Sequence, residues 1–247
     1  KHTIYIENQY FSSYEIATAL ECRMRQVGPP LEIVMVMPKK SAGLKERISI
    51  GVYQARILDR LSRLAADTGH RFGVYYQAAP HHDGKEVPVF IHAKVVAVDD
   101  RFLLISSANL TNRSMGFDTE LGVAWESPVP NESLRGARLE LLAEHCGMPY
   151  DEAAARFASA EGLVGKLDAL ARDKTHLLRI HERNVDEHPG WLLRRFLPRR
   201  TPLDPANPQQ FREGLPEPVV WLDRLIREPA VVLFGDRIPW LRKRPTQ

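Results

Sequence analysis

Strand-like and helix-like segments alternate along the first third of the chain, and this alternation constrains the fold more than any other feature. Residues 2–6 (HTIYI), 31–38 (LEIVMVMP) and 71–77 (RFGVYYQ) are rich in β-branched and aromatic residues, which predicts strands. Residues 13–27 and 44–68, which lie between them, carry apolar residues at helical spacing and are predicted to be amphipathic helices. Strands that alternate with helices in this way are typical of an α/β protein.

Further strands follow a polar loop. Two are predicted at 89–98 and 102–106, joined by the turn DDR, and a last strand is predicted at 119–127. A short helix at about 109–116 lies between the second and the third of these strands. The predicted fold is therefore α/β, with a mixed, largely parallel sheet flanked by helices.

The character of the chain changes after the last predicted strand. We therefore expect one lobe at 1–128 and a separate C-terminal extension at 129–247. Two amphipathic helices are predicted at 132–146 and 150–173. Residues 186–220 are rich in proline and have little periodicity, which predicts an extended tail.

Composition limits the class of protein without deciding it. The 247 residues have a formal net charge of +3, which suits an anionic substrate or surface but is too small to indicate nucleic acid by itself. The two cysteines, Cys22 and Cys146, are far apart and give neither a disulfide framework nor a zinc spacing. No apolar run approaches the length of a membrane-spanning helix, which is about 18 residues. We therefore expect a cytoplasmic protein or one at the membrane periphery.

A set of polar residues follows or interrupts the apolar strands. His92 and Lys94 lie two residues apart, so in a strand they would share one face. Ser107 and Asn109 follow the next strand, and Glu120 lies in the last one. Lysine and asparagine can bind the non-bridging oxygens of a phosphate, and an imidazole can attack phosphorus or move a proton if a carboxylate fixes its tautomer. Either His92 or Lys94 alone would more often be a core or edge residue, so the inference depends on the whole set.

The spacing of this set resembles a known signature. Residues 92–109 (HAKVVAVDDRFLLISSAN) closely resemble the HxK(x)4D(x)6GSxN signature of the phospholipase D superfamily. Residues 4–11 (IYIENQYF) resemble a segment of lipid-acting phospholipases D, and 112–127 resembles the segment that follows the signature in bacterial members. The predicted helix at 134–148 is similar to that bacterial branch. The resemblance covers about residues 1–150.

The resemblance implies a role for each residue of the set. His92 would be a catalytic imidazole, and Lys94 and Asn109 would bind phosphate. Ser107 would support the phosphate site, and Glu120 would orient His92.

Other positions are assigned by the same resemblance. Asp99 is interpreted as structural, bracing the turn or pairing with a basic group, and Ser106 replaces the glycine of the signature. Glu7, Asn8 and Gln9 are candidates for lining the pocket.

The family reaction needs two histidines, and this chain contains one HxK motif. One histidine forms a phosphohistidine, and the other protonates the leaving alcohol and then activates water or another alcohol. The second motif would come from an upstream half or from an identical chain, so we interpret this sequence as the C-terminal half of a bacterial two-motif enzyme. His92 would then be the general acid and base, although the nucleophilic role stays open.

The expected reaction is cleavage or transfer of a phospholipid headgroup. The alternatives are a cardiolipin-synthase-like phosphatidyl transferase, a nuclease, or a degenerate half that only binds phosphodiesters.

Two further motifs are given modest roles. His81, His82 and Asp83 are adjacent in a polar loop without a further partner at ligand spacing, and the family chemistry needs no metal or other cofactor. We interpret them as loop or pocket-rim residues. Residues 191–200 (WLLRRFLPRR) interleave aromatic residues with arginines, a pattern that can contact an anionic membrane surface.

Overall fold

The structure is a computed structural model that describes residues 2–39, 50–181 and 204. Its centre is a sheet in which seven strands follow the order β4-β3-β2-β1-β5-β6-β7, while β8 also pairs with β3. The strands are β1 (Thr3–Glu7), β2 (Glu32–Val36), β3 (Arg71–Pro80), β4 (Glu86–Pro88), β5 (Val95–Val98), β6 (Phe102–Ser106), β7 (Gly122–Glu126) and β8 (Leu178–Ile180).

Helices cover both faces of this sheet, as expected for an α/β protein. They are α1 (Tyr14–Arg25), α2 (Val52–Asp67), α3 (Asn112–Gly116), α4 (Glu132–Cys146), α5 (Tyr150–Phe157) and α6 (Leu163–Asp173). The strand pairs β1–β2 and β2–β3 are parallel, and the other described pairings are antiparallel. The mixed sheet flanked by helices is therefore confirmed, with its parallel part in the first three strands.

The alternation of side chains along β1 and β2 divides the core into two halves. Ile6 and Ile33 pack in one apolar cluster with residues of α1 and α2, such as Leu61. Tyr5 and Val34 point the other way and belong to a second cluster with residues of α4, α5 and α6. Successive strand residues point to opposite faces, so both helical layers are held by the same few strands.

The helices after residue 128 are part of this packing. Leu142 of α4 and Leu167 of α6 are fully buried in the cluster that contains Tyr5. The strand β8, which follows α6, pairs antiparallel with β3. The described residues thus form one packed unit across the predicted boundary at 128/129.

The predicted helix at 150–173 is divided in the structure into α5 and α6. Gly162 adopts a left-handed φ of 70° just before α6, which a glycine does at little cost. The carboxylate of Glu32, from β2, accepts hydrogen bonds from the backbone N–H groups of Gly162 (2.6 Å) and Val164 (2.8 Å). A tertiary contact therefore caps a new helix start that the apolar periodicity did not indicate.

The strand β7 lies at one end of the sheet and is exposed along its length. Among the described strands it pairs only with β6. Val123 is 52% exposed and Trp125 47%, and Ile105, the cross-strand partner of Val123, is 49% exposed. Separately, none of the helices in the described part has the length and apolar character needed to cross a membrane.

Candidate active site

The segment that carries His92 and Lys94 is not a strand, and the prediction of a strand at 89–98 is wrong for its first part. β5 begins only at Val95. In the sheet, β4 lies next to β3 and β5 lies next to β1, with β2 between β3 and β1. The residues that connect β4 to β5 therefore cross the ends of these central strands. Most of this segment lies outside the sheet, although its apolar sequence resembles a strand. Its ends continue the neighbouring pairings, since Val89 N–H donates to the carbonyl of Gln77 and Ser106 N–H donates to the carbonyl of Lys94. The segment places His92 and Lys94 at one end of the sheet.

Lys94 is a buried cation at this end of the sheet. The residue is 8% exposed, and its Nζ donates to the carbonyl oxygen of His92 at 2.8 Å. A longer contact of 3.5 Å joins Nζ to Oε1 of Gln9. Burial lowers the pKa of Lys94, and the negative charge of Glu120 partly offsets that effect. No carboxylate of the described residues forms a direct ion pair with this ammonium group.

Glu120 is hydrogen-bonded to Ser107. The Ser107 hydroxyl donates to Oε2 of Glu120 at 2.5 Å and accepts from the backbone N–H of Leu121 at 3.0 Å. Ser107 N–H also donates to the carbonyl of Leu121, which extends the β6–β7 pairing by one step. This register brings Glu120 to Ser107. No hydrogen bond joins His92 to Glu120 among the described residues, so the orienting role of Glu120 stays a prediction.

His92 and Asn109 keep polar groups that their neighbours do not use. The His92 side chain is exposed, and its ring lies nearly parallel to that of Phe90, with centroids 6.2 Å apart. The side-chain oxygen of Asn109 is buried and has no hydrogen-bond partner in the part of the chain that is described. Unpaired buried polar atoms are rare; this oxygen can only accept a hydrogen bond, so Nδ2 is the atom of Asn109 that could donate to an anion.

Ser106 fits the position where the signature has glycine. Its φ is not positive, so the backbone there does not require glycine. Its hydroxyl donates to the carbonyl of Leu121 (3.2 Å) and accepts from the N–H of Ala108 (3.0 Å). The serine thus braces the start of the loop at 107–112, which we call the phosphate loop.

The two aspartates after β5 have different structural partners. Oδ1 of Asp99 accepts from the backbone N–H groups of His2 (2.7 Å) and Thr3 (2.8 Å), at the start of β1. Asp100 pairs with Arg138, which lies in α4. Both aspartates have φ near +54°, at 55° and 53°. Bracing of the chain, one of the two functions predicted for Asp99, is thus seen in these hydrogen bonds, and the neighbouring Asp100 pairs with a basic group.

The three pocket candidates that follow β1 lie in different places. Glu7 is 2% exposed, accepts from the Tyr5 hydroxyl at 2.5 Å and lies 3.0 Å from Nε2 of His145, beneath α4. It is a core residue and does not line the site. The alternation along β1, which puts Glu7 on the same face as Tyr5, could have indicated this.

Asn8 and Gln9 do belong to the site's surroundings. Asn8 is buried, and its Oδ1 accepts from the N–H of Leu110 at 3.1 Å, so it supports the phosphate loop from below. Gln9 contacts Lys94, as described above, and its Nε2 donates to the Tyr10 hydroxyl at 2.9 Å. Of the three candidates, Gln9 is the one that contacts a residue predicted to bind phosphate, Lys94.

Two predicted motifs and one further residue remain to be placed. His81 pairs with Asp83 at 2.9 Å in an exposed turn. No group of three metal-ligating side chains occurs in the described ranges. Residues 191–200, predicted to contact anionic membranes, lie outside the described residues. Asp204, which no sequence pattern singled out, is buried beside the start of α3.

Comparisons with known proteins agree with the resemblance. The chain is 28% identical over 194 residues to phospholipase D alpha 2 of Oryza sativa subsp. japonica, a match that covers 73% of this chain and 21% of that protein. It is 30% identical over 121 residues to phospholipase D alpha 1 of Spuriopimpinella brachycarpa, covering 45% of this chain and 15% of that protein. The chain thus spans about a fifth or less of the length of these relatives.

A solved structure and a family model complete the comparison. The crystal structure of phosphatidylserine synthase from Haemophilus influenzae is similar with a TM-score of 0.42 and 19% identity, over 70% of this chain and 40% of that chain. A family model described as "Cardiolipin synthase, PLD-like domain" matches residues 1–137, more than half of the chain. The chain therefore belongs to the phospholipase D-like family, whose members are phosphodiester-active enzymes.

Proposed function

We propose that this chain supplies one half of the active site of a phospholipase D-type phosphodiesterase that cleaves or transfers the headgroup of a phospholipid. The observation that carries the proposal is a buried ammonium group, Lys94, at one end of the sheet beside the exposed His92. Asn109 belongs to the same HxK-to-SxN motif, and its side-chain Nδ2–H groups can donate to a phosphate oxygen. A buried cation that no described carboxylate pairs directly favours an anionic ligand.

The proposed reaction has two steps. In the first, a ring nitrogen of one histidine attacks phosphorus, the bond from phosphorus to the leaving alkoxide breaks, and the other histidine donates its proton to that oxygen. In the second, water or an alcohol gives its proton to the acid–base histidine and attacks phosphorus, and the P–N bond breaks so that the nucleophilic histidine is released. Lys94 and Asn109 bind the non-bridging oxygens, whose charge grows in the transition state. His92 takes the acid and base role.

The second histidine must come from outside this HxK motif. No other histidine in the chain is followed by lysine two positions later. We propose that an upstream half or an identical chain supplies it, at the end of the sheet where the His92 ring is exposed. The chain alone as a monomer is then expected to have little activity.

Glu120 is proposed to act on the phosphate site through two contacts. Its carboxylate accepts from Ser107, which fixes the start of the phosphate loop. Its charge also raises the pKa of Lys94 against the effect of burial. Both effects favour a charged lysine facing an ordered loop, which is the condition for binding a phosphodiester.

A panel of substrates tests the proposal. Phosphatidylcholine, phosphatidylglycerol and DNA are each incubated with the protein, with and without added ethanol, while its mass in solution is measured. We expect free headgroup from a phospholipid, and phosphatidylethanol when ethanol is present. His92→Asn is expected to abolish turnover, whereas His2→Asn, which changes another exposed histidine, is the matched control.

Each alternative gives a different result in the same panel. Cleavage of DNA with intact phospholipid would indicate a nuclease. Transfer to phosphatidylglycerol without hydrolysis would indicate a phosphatidyl transferase. Binding without turnover in the dimer, or with the upstream half added, would indicate a degenerate half. Full turnover by a strict monomer would refute the requirement for a second motif.

A further inference from the structure

Asp204 lies far beyond the family match, yet its carboxylate is one of the most fully bonded in the described chain. It is 5% exposed. Its Oδ2 accepts from the Ser12 hydroxyl (2.7 Å) and from the N–H of Asn112 (2.6 Å), and its Oδ1 accepts from the N–H of Arg113 (3.1 Å). A buried carboxylate is costly unless such donors compensate for lost water. The arrangement therefore fixes the positions of the donors as well as that of Asp204.

These donors belong to two segments that are already joined to each other. One is the segment at 8–13, after β1, and the other is the junction between the phosphate loop and α3. Two backbone N–H groups of the first segment donate to the carbonyl of Leu110, and the side chain of Asn112 donates to the carbonyl of Ser12 (3.0 Å). A backbone bridge also pairs Phe11 with Leu110. Asp204 closes this network by bonding to both segments at once.

The same two segments carry groups of the candidate site. Gln9 contacts Lys94 from the first segment, and Asn109 lies next to Leu110 in the phosphate loop. The N–H of Leu110 donates to Asn8, which follows β1 directly. Any shift of one segment against the other would therefore move Gln9 relative to Asn109. A carboxylate that spans both segments resists that shift.

We propose that Asp204 is a positioning residue of the active site, which a segment outside the family-matched region contributes to the phosphate loop. Asp204 bonds no predicted catalytic group, and it acts by holding Ser12 against the start of α3. The inference rests on the proposed function, because it takes Asn109 and Lys94 as phosphate ligands. The competing interpretation is a simple anchor, in which Asp204 adds stability and leaves the site unaffected.

The variant Asp204→Asn separates these interpretations. It keeps the size of the side chain but removes the charge and one acceptor oxygen. The matched control is Asp173→Asn, which changes an exposed carboxylate that accepts from Thr175 at 2.9 Å. The kcat and KM for bis(4-nitrophenyl) phosphate are measured per folded molecule, in the assembly that gives activity with the unaltered chain. The dissociation constant for inorganic phosphate is measured on the chain itself by calorimetry.

We expect Asp204→Asn to lower kcat by about 10- to 100-fold, since a small displacement of a positioned group has effects of that size. Phosphate binding should weaken in parallel, Asp204→Glu should restore part of the loss, and Asp173→Asn should match the unaltered chain. If Asp204→Asn does not fold, Ser12→Ala, which removes one of the three donors, should show a smaller loss of the same kind.

Two results would overturn the inference in distinguishable ways. If the unaltered chain is active and binds phosphate, but Asp204→Asn equals Asp173→Asn in kcat and phosphate affinity, Asp204 is only an anchor. A fall in melting temperature with unchanged kcat per folded molecule leads to the same conclusion. If the unaltered chain neither turns over a phosphodiester nor binds phosphate, the proposed function has failed, and the inference falls with it.

Discussion

Replacing Asp100 with asparagine is expected to destabilise the fold strongly, because the change leaves a buried guanidinium group without its carboxylate. The Arg138 side chain is 2% exposed and that of Asp100 is 9% exposed. Nε and Nη2 of Arg138 donate to the two oxygens of Asp100 at 2.6 and 3.0 Å. Asparagine suits the test because it tolerates a positive φ, which is 53° at this position.

The expected size of the effect follows from what each variant leaves behind. Loss of one partner of a buried ion pair costs about 3–5 kcal/mol. We expect about 3 kcal/mol for Asp100→Asn, since Arg138 keeps its bond to the carbonyl of Phe157 at 3.1 Å. Arg138→Met is expected to cost less, about 1–2 kcal/mol, because Asp100 keeps a second partner, Arg135, at 3.1 Å. The double variant buries no charge at this position and is expected to cost far less than the sum.

Urea unfolding followed by circular dichroism measures these free energies. Burial alone would raise the pKa of Asp100, but the hydrogen bonds and charges of Arg138 and Arg135 outweigh it and lower that pKa. The stabilisation is therefore complete above the ordinary carboxyl pKa of about 3.9 and is lost as the pH falls through the lowered value in the folded state. Asp100→Asn should lack this part of the acid transition. A cost below about 1 kcal/mol, or additive single effects, would refute the reasoning.

Two further predictions concern titrating groups. Burial lowers the pKa of Lys94 and the charge of Glu120 raises it, so activity should fall as the pH rises through the lowered pKa, and Glu120→Gln should move this fall to lower pH. A pH–rate profile of each variant, with Lys94→Arg as the control, checks both expectations. Coincident profiles for Glu120→Gln and the unaltered chain would contradict the role of Glu120. Burial raises the pKa of the Cys146 thiol to about 12, whereas Cys22 is exposed. A thiol reagent should therefore label one cysteine in the native protein and two in urea. Rapid labelling of both cysteines without urea would contradict the packing of α4.

Much of the fold could be predicted where local pattern and tertiary packing agree. The helix at 132–146 was predicted with the bounds of α4, because Asn131 caps its start and Gly147, with φ of 68°, ends it. The agreement failed where a distant residue decides the structure. Glu32 starts α6 inside a continuous apolar pattern.

The sequence indicates which residues to consider for the candidate site but not how they are arranged. The HxK spacing singles out His92 and Lys94, although most of their segment crosses the ends of strands and lies outside the sheet. Glu120 bonds Ser107 because of the β6–β7 register, which sequence spacing does not reveal. Asp204 gave no signal, since a single carboxylate in a region without periodicity becomes meaningful only when its three donors are in place.

The exposed β7 strand has a consequence for handling the protein. Val123 and Trp125 leave apolar surface beside backbone groups that no described strand pairs on the outer side. Edges of this type recruit strands from other molecules, and natural proteins protect them with charged residues or with a covering segment. We therefore expect this strand to favour aggregation at high concentration. A lysine at Val123 would be the first change to make for solubility, since it places a charge on the exposed face without entering the core.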